Sequence, residues 1–358
     1  MEVILSTTPG ILFPGGNPEM TTLKGGGGAH AGHSENGHVH VEASNDHDMA
    51  AMLTMAERMH WGASVVVGPI FVFLGLIGNI FAIIVWNRRG MRSSTGRYLT
   101  ALAIADSGVL IWFFLVDSLK MFAPEVAQSV GYAFFFAYFG YPIFFLFVVL
   151  SIWFMVGVTV DRFIMVCLIT KAKIFCNEKR ANVGIFIILA TCFIINLPHF
   201  WSYQADFDRP AGSNTSAIVM SEFQKGEGAI NYEFWVHCIF LVLLPWFTIF
   251  ILNLLIIGKI SRTNKKMIDK KTAESADKSR RSENQITRLL LIVTFTFLFL
   301  IGFQCITQCF FMLMPDGFDK NIISEAFAAA KLGIIVNSSI NFLLYCMSGR
   351  RFRQEFSS

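Results

Sequence analysis

The sequence predicts an all-α fold: a bundle of seven transmembrane helices, followed by a short amphipathic helix and preceded by a disordered tail. Three observations predict it. Of 358 residues, 54% are hydrophobic, 15% are charged and 37 are phenylalanine, a balance too apolar for a soluble domain. The apolar residues gather into seven runs, each long enough for the roughly 20 residues that a helix needs to cross a hydrocarbon core of about 30 Å. Lys and Arg then alternate between the links that join the runs, which is the mark of a multi-pass membrane protein.

The runs cover residues 62–86, 98–122, 131–165, 182–204, 232–260, 286–314 and 323–347. Arg88, Arg89, Arg92 and Arg97 follow the first, and Lys171, Lys173, Lys179 and Arg180 follow the third. The link after the fifth is the most basic, from Lys259 and Arg262 through Arg280 and Arg281, and Arg350, Arg351 and Arg353 follow the seventh. These links are read as cytoplasmic, so an odd number of spans places the N-terminus outside. The net charge of +4 thereby reports topology, and no nucleic-acid partner is implied.

Residues 1–60 form a separate unit, a Gly-rich tail carrying His30, His33, His38, His40 and His47. It has too little apolar surface to fold alone. Plain disorder is one reading; zinc or copper at His38-Val39-His40 is the other, and no ligand geometry supports a metal. No charged, then apolar, segment with a cleavage site opens the chain, so the first span is read as an uncleaved signal anchor. Residues 61–347 form the bundle. Residues 348–358 follow it, with Phe352 and Phe356 four apart among three arginines, as suits a helix lying on the membrane surface.

No cysteine falls in a predicted outer link; Cys192, Cys238, Cys305 and Cys309 lie in spans, and Cys167, Cys176 and Cys346 toward the inner face. The outer link from about 205 to 231 therefore has no disulfide to fix it. It holds the sequon Asn214-Thr215-Ser216, which makes Asn214 the expected glycan site.

Function is sought among the polar residues inside the spans, where an ionisable group is costly. Asp161-Arg162-Phe163 closes a run without charge from Gly131 to Val160. Asn79 and Asp106 sit in the first and second spans, Ser151 stands three helical turns before Arg162, and Asn337, Asn341 and Tyr345 repeat at four-residue steps. The oxygen atoms of Asn79, Asp106, Ser151, Asn337 and Asn341 would suit a hydrated Na⁺ near Asp106, a hard cation. A water-filled hydrogen-bond network without an ion accounts for them equally. No cofactor is expected otherwise, and no nucleophile–base pair or metal cluster points to an enzyme.

With Gly78-Asn79, Leu102-Ala103-Ile104-Ala105-Asp106, Asp161-Arg162-Phe163, Pro245 and Asn341-Phe342-Leu343-Leu344-Tyr345 in order at the right spans, residues 62–356 resemble the rhodopsin-like G-protein-coupled receptors. Val166-Cys167, Lys171-Ala172-Lys173, the run from Cys176 to Ala181, and Asn337 to Phe342 are similar to the FMRFamide-type neuropeptide receptor subgroup. The resemblance implies a plasma-membrane receptor that couples to heterotrimeric G proteins. Its switch would comprise Asp161, Arg162, Asn253, Glu283, Thr287, Phe297 and Tyr345, with Glu283 reaching Arg162 and helix six swinging outward when that tie breaks. The bland alternative leaves Glu283 on the solvated face of a charged linker.

The chain departs from the family pattern in several places. Ile301 and Phe303 stand where span six usually carries tryptophan and a kinking proline, leaving Gly302 as its weak point and predicting a straighter helix. Phe342 replaces a proline in span seven, and Ala137 replaces the cysteine that normally bridges to the second outer link. Phe144 stands where amine receptors carry an aspartate, and Ile335 where light receptors carry the retinal lysine, so neither ligand class is expected.

The expected ligand pocket is formed by Asp117, Tyr141, Phe144, His237, Gln304, Gln308 and Lys331. A short peptide ending in Arg-Phe-amide suits it, with Asp117 for the arginine, aromatics for the ring and a glutamine for the amide. Packing or lipid contact is the plain alternative for each aromatic. Other expected partners are membrane lipids and arrestin, the latter through Thr272, Ser275, Ser279 and Ser282 because the tail is short. The competing reading is a constitutively active or non-signalling seven-helix protein that scavenges ligand or regulates another receptor.

Overall fold

The computed structural model describes residues 61–208, 217–268, 274–313 and 320–357. The expected tail at residues 1–60, the sequon at Asn214 and the side chains of His237, Glu283 and Gln308 fall outside what it describes, as do those of Thr272, Ser275, Ser279 and Ser282.

Among the described residues, seven helices are long and apolar enough to cross a membrane. Span one is Gly62–Asn87, span two Ser94–Phe122, span three Val130–Cys167 and span four Glu178–Trp201. Span five runs through Tyr232–Leu243 and Leu244–Ile268, span six is Glu274–Leu313 and span seven Lys320–Ser348, before a terminal helix at Arg350–Ser357. Span three is the most buried and span four the most exposed, so span three is the axis around which the others pack. Phe186, Ile187 and Phe299 are exposed on the outside of the bundle.

Local chemistry sets the helix starts. The hydroxyl of Ser93 accepts from the Gly96 amide at 3.0 Å, that of Ser129 from Tyr132, and the Asn177 side chain from the Arg180 amide at 3.0 Å. Each satisfies one of the amides that a helix leaves unpaired at its first turn. Arg97 closes the same end of the bundle, with its guanidinium 2.7 Å from Glu178.

Between helices in lipid there is little hydrophobic drive, so close approach through small residues matters. Gly75 of span one lies so near span seven that a Cβ there would sit 2.5 Å from that of Ser339. Gly157 and Gly184 leave room for the Tyr98 ring between spans three and four.

The structure corrects several expected boundaries. Span four closes in a tight turn at Leu197–Trp201 with Pro198 at its start, and stops before residue 204. The apolar stretch of span six, Thr287–Thr307, falls inside the expected run, while its helix reaches back to Glu274 and is one unbroken α-helix through Gly302, as the missing proline predicts. Four stretches adopt wider turns: Gly62–Val67, Phe114–Ser118, Phe136–Gly140 and Tyr232–Leu243. These rotate the outer parts of their spans relative to the regular period that the sequence spacing assumed.

The link between spans four and five contains an antiparallel hairpin, with Tyr203 opposite Met220, Gln204 opposite Val219 and Ala205 opposite Ile218. It contains no cysteine, so no disulfide fixes it. Tyr203 anchors it instead, with ring centroids 4.7 Å from Tyr141 and 5.5 Å from Phe136, both edge-on.

The terminal helix docks more firmly than a surface helix needs to. Phe352 is buried against Trp86, Tyr345 and Phe342, so it faces the bundle and not the membrane surface. Phe356 stays exposed, edge-on to Phe81 and Phe342. Phe342, in the place of a proline, thus holds both.

Candidate functional site

Three polar clusters lie along the bundle. At the end nearer the hairpin, Lys331 of span seven donates to both carboxylate oxygens of Asp117 at 3.0 Å and to the hydroxyl of Ser64 at 3.0 Å. The two ions are 2% and 7% exposed. Read separately as pocket residues, they form one pair that joins spans one, two and seven. The wide turn at Phe114–Ser118 presents Asp117, and the Tyr132 hydroxyl supports that stretch by donating to the carbonyls of Leu115 and Val116.

Tyr141 and Phe144 of the expected pocket are fully packed. Tyr141 lies against Phe145, His199 and Tyr203, and Phe144 lies edge-on to Phe145. Gln304 is buried, and neither of its amide atoms has a hydrogen-bond partner among the described residues. An unpaired buried amide costs about 1–3 kcal/mol.

The middle cluster centres on Asp106. Asp106 accepts from the Ser151 hydroxyl at 2.6 Å and from the Asn341 amide at 2.8 Å. Asn79 donates to the Ser338 carbonyl at 3.0 Å, and its own carbonyl oxygen has no hydrogen-bond partner among the described residues. Asn337 is buried beside them in sequence on span seven. These groups join spans one, two, three and seven. Their oxygen-rich donor set fits a hard cation as well as it fits water.

At the far end Asp161 and Arg162 are both buried, 6% and 5% exposed. Thr95 at the start of span two stands between them: its hydroxyl donates to the Asp161 carboxylate and accepts from the Arg162 guanidinium. The Cys176 thiol reaches the Asp161 carbonyl at 3.6 Å. Burial, reinforced by the negative Asp161, pushes that thiol up to about 12, so it stays protonated at neutral pH. Tyr345 is buried edge-on to Trp86, and Thr287 and Phe297 are buried in span six.

Asn253 does something its family role did not suggest. Its amide donates to the Thr294 hydroxyl at 2.8 Å, which ties span five to span six. Thr95, Ser64 and Thr294 were missed in the sequence because a Ser or Thr in an apolar helix most often satisfies itself on the preceding turn. The signal that would find them is a position facing a buried ion, which needs the neighbouring helix to be known.

The family model of the seven-transmembrane receptors of the rhodopsin family matches residues 78–345. The FMRFamide receptor of Drosophila melanogaster is 28% identical over 311 residues, covering 83% of this chain and 53% of that one. The FMRFamide peptide receptor frpr-18 of Caenorhabditis elegans is 23% identical, with 80% and 66% covered. Human neuromedin-U receptor 2 is 23% identical, with 86% and 74% covered. The chain thus spans about half the length of the fly relative. With the family match across most of the chain, and with Asn79, Asp106 and Asn341 in one buried cluster and Asp161 and Arg162 in another, the chain belongs to the rhodopsin family of seven-transmembrane receptors.

Proposed function

We propose that the chain is a plasma-membrane receptor, N-terminus outside, that binds a short amidated peptide and activates heterotrimeric G proteins. The observation that carries this reading is the buried Asp161–Thr95–Arg162 cluster at one end of the bundle. Its function would be to hold the end of span three closed until span six moves outward, a two-state element that a ligand can bias. That relatives are named for FMRFamide and neuromedin-U supports a peptide as the ligand.

The chemistry of the opposite end accommodates such a peptide. An incoming arginine exchanges with Lys331 at Asp117, keeping the buried carboxylate paired throughout. Gln304, whose amide has no hydrogen-bond partner among the described residues, receives the terminal carboxamide. Na⁺ at Asp106, held also by Ser151 and Asn341, would favour the resting arrangement. Glycosylation at Asn214, arrestin binding and contact with membrane lipids complete the reading.

The test is a G-protein dissociation sensor in cells, with Phe-Met-Arg-Phe-amide and a panel of amidated peptides. Activation of the wild type with loss of all response in Arg162→Ala, at equal surface amount, supports the reading. A wild type with neither basal nor peptide-driven activity sinks it in favour of a non-signalling role, and full basal activity insensitive to any peptide favours a constitutive one.

A further inference from the structure

We infer that Trp246 of span five makes the hinge of span six, in place of the proline that this chain lacks. The inference rests on the receptor reading above, in which span six moves. A helix bends sharply where its hydrogen-bond ladder is interrupted, either by a proline or by a side chain that inserts into it. Span six has no proline and runs unbroken over Glu274–Leu313. Its ladder is nonetheless entered from the side.

The indole Nε1 of Trp246 donates to the carbonyl of Leu298 at 2.9 Å. In an α-helix that carbonyl also faces the amide four residues on, which here belongs to Gly302. One acceptor is shared by two donors, so the rung from Leu298 to Gly302 is the one whose loss costs least. The residue at the weakened rung is a glycine, the residue freest to take up a changed backbone angle. The two features depend on each other: a Cβ at Gly302 would lie 3.1 Å from the same indole nitrogen, tight enough to press the ring away.

The surroundings hold the indole in place. It stacks on Phe250 at 5.6 Å with the planes 10° apart, and lies edge-on to Phe247 at 5.2 Å. On the side of span seven, Gly333 comes so close that a Cβ would be 2.9 Å from the Leu300 carbonyl. The turn that contains Leu298 and Leu300 is therefore gripped from both neighbours, while the Asn253–Thr294 bond lies one turn further along, on the part that swings. Trp246 acts through the backbone of span six and is a positioning residue.

The test replaces Trp246 with its benzothiophene isostere, which keeps the ring and loses the N–H donor, alongside Trp246→Phe. In purified full-length receptor, amide hydrogen exchange at Gly302 slows by about fivefold, the equivalent of one hydrogen bond regained by the ladder. In cells, the maximal response to Phe-Met-Arg-Phe-amide falls by about fivefold at equal surface amount. Phe303→Pro, at a lipid-facing position that is 46% exposed, restores the response in both backgrounds by supplying an independent hinge. Unchanged exchange at Gly302 overturns the inference, and so does a lost response that the proline does not rescue, since that is what a packing role alone would give. A wild type that activates no G protein ends the receptor reading, and the exchange measurement still decides the hinge.

Discussion

The two ends of the bundle are held by different physics. Around Arg162 the joints are polar and specific: a threonine between two ions, an Arg97–Glu178 pair, and Arg353 donating to the carbonyls of Cys346 and Met347 at the close of span seven. Around the hairpin they are aromatic, with Tyr203, Tyr141, Phe136, Phe145 and His199 in one packed group, beside the buried ion pair Asp117–Lys331. Polar joints have defined geometry and come apart in discrete steps. Aromatic contacts are set by buried area and ring orientation instead. At this end Ala137 is buried and Tyr203 does the anchoring that a disulfide would otherwise do.

The ion pair is the exception to that division, and breaking it gives the largest expected effect. Lys331→Met leaves the Asp117 carboxylate buried without its cation, a loss of about 3–5 kcal/mol. Thermal unfolding in detergent or nanodiscs measures it. Adding Asp117→Leu removes the stranded charge and returns stability most of the way, because a buried pair replaced by apolar residues is nearly neutral. If Lys331→Met alone is as stable as wild type, the pair is not a joint and the hairpin end is aromatic throughout.

Next in size is Tyr203→Ala. It deletes two edge-on ring contacts, each worth about 0.5–1.5 kcal/mol beyond area, so the hairpin loosens by about 1–3 kcal/mol. Hydrogen exchange at Tyr203–Ala205 and Ile218–Met220 reports it directly. Reductant leaves the wild-type hairpin unchanged, in contrast to a disulfide-anchored loop. A hairpin as protected in the variant as in wild type would mean that its backbone pairing suffices.

What the sequence disclosed follows the same division. The seven spans were legible because the bilayer fixes their length and composition. The Asp106–Ser151–Asn341 contacts were legible too, because each residue sits in a regular helix and whole turns bring them to one depth. The wide turns at Phe114–Ser118 and Tyr232–Leu243 were not, and they decide where Asp117 points and how span five faces span six. The Trp246–Leu298 bond was invisible for that reason: it joins a side chain to a backbone carbonyl, which no residue type advertises. Phe342 and Phe303 were legible as departures from a pattern, yet one turned out to anchor the terminal helix through Phe352 and the other to face outward.

The smallest expected effect is the sharpest probe of the polar end. Thr95→Val keeps the shape of the side chain and removes the hydroxyl that Asp161 and Arg162 share. Its hydrogen bonds to both charged groups are lost, and the net contribution of a typical hydrogen bond sets the scale of the effect at about 1 kcal/mol. That is about a fivefold shift in a two-state balance. If the cluster holds the resting arrangement, the shift appears as higher basal G-protein activity with surface amount unchanged. Such a gain cannot come from general destabilisation, which lowers the amount of folded receptor. Basal activity equal to wild type would mean that Thr95 fills space between the ions without tying them, and the polar end would then be held by packing, as the hairpin end is.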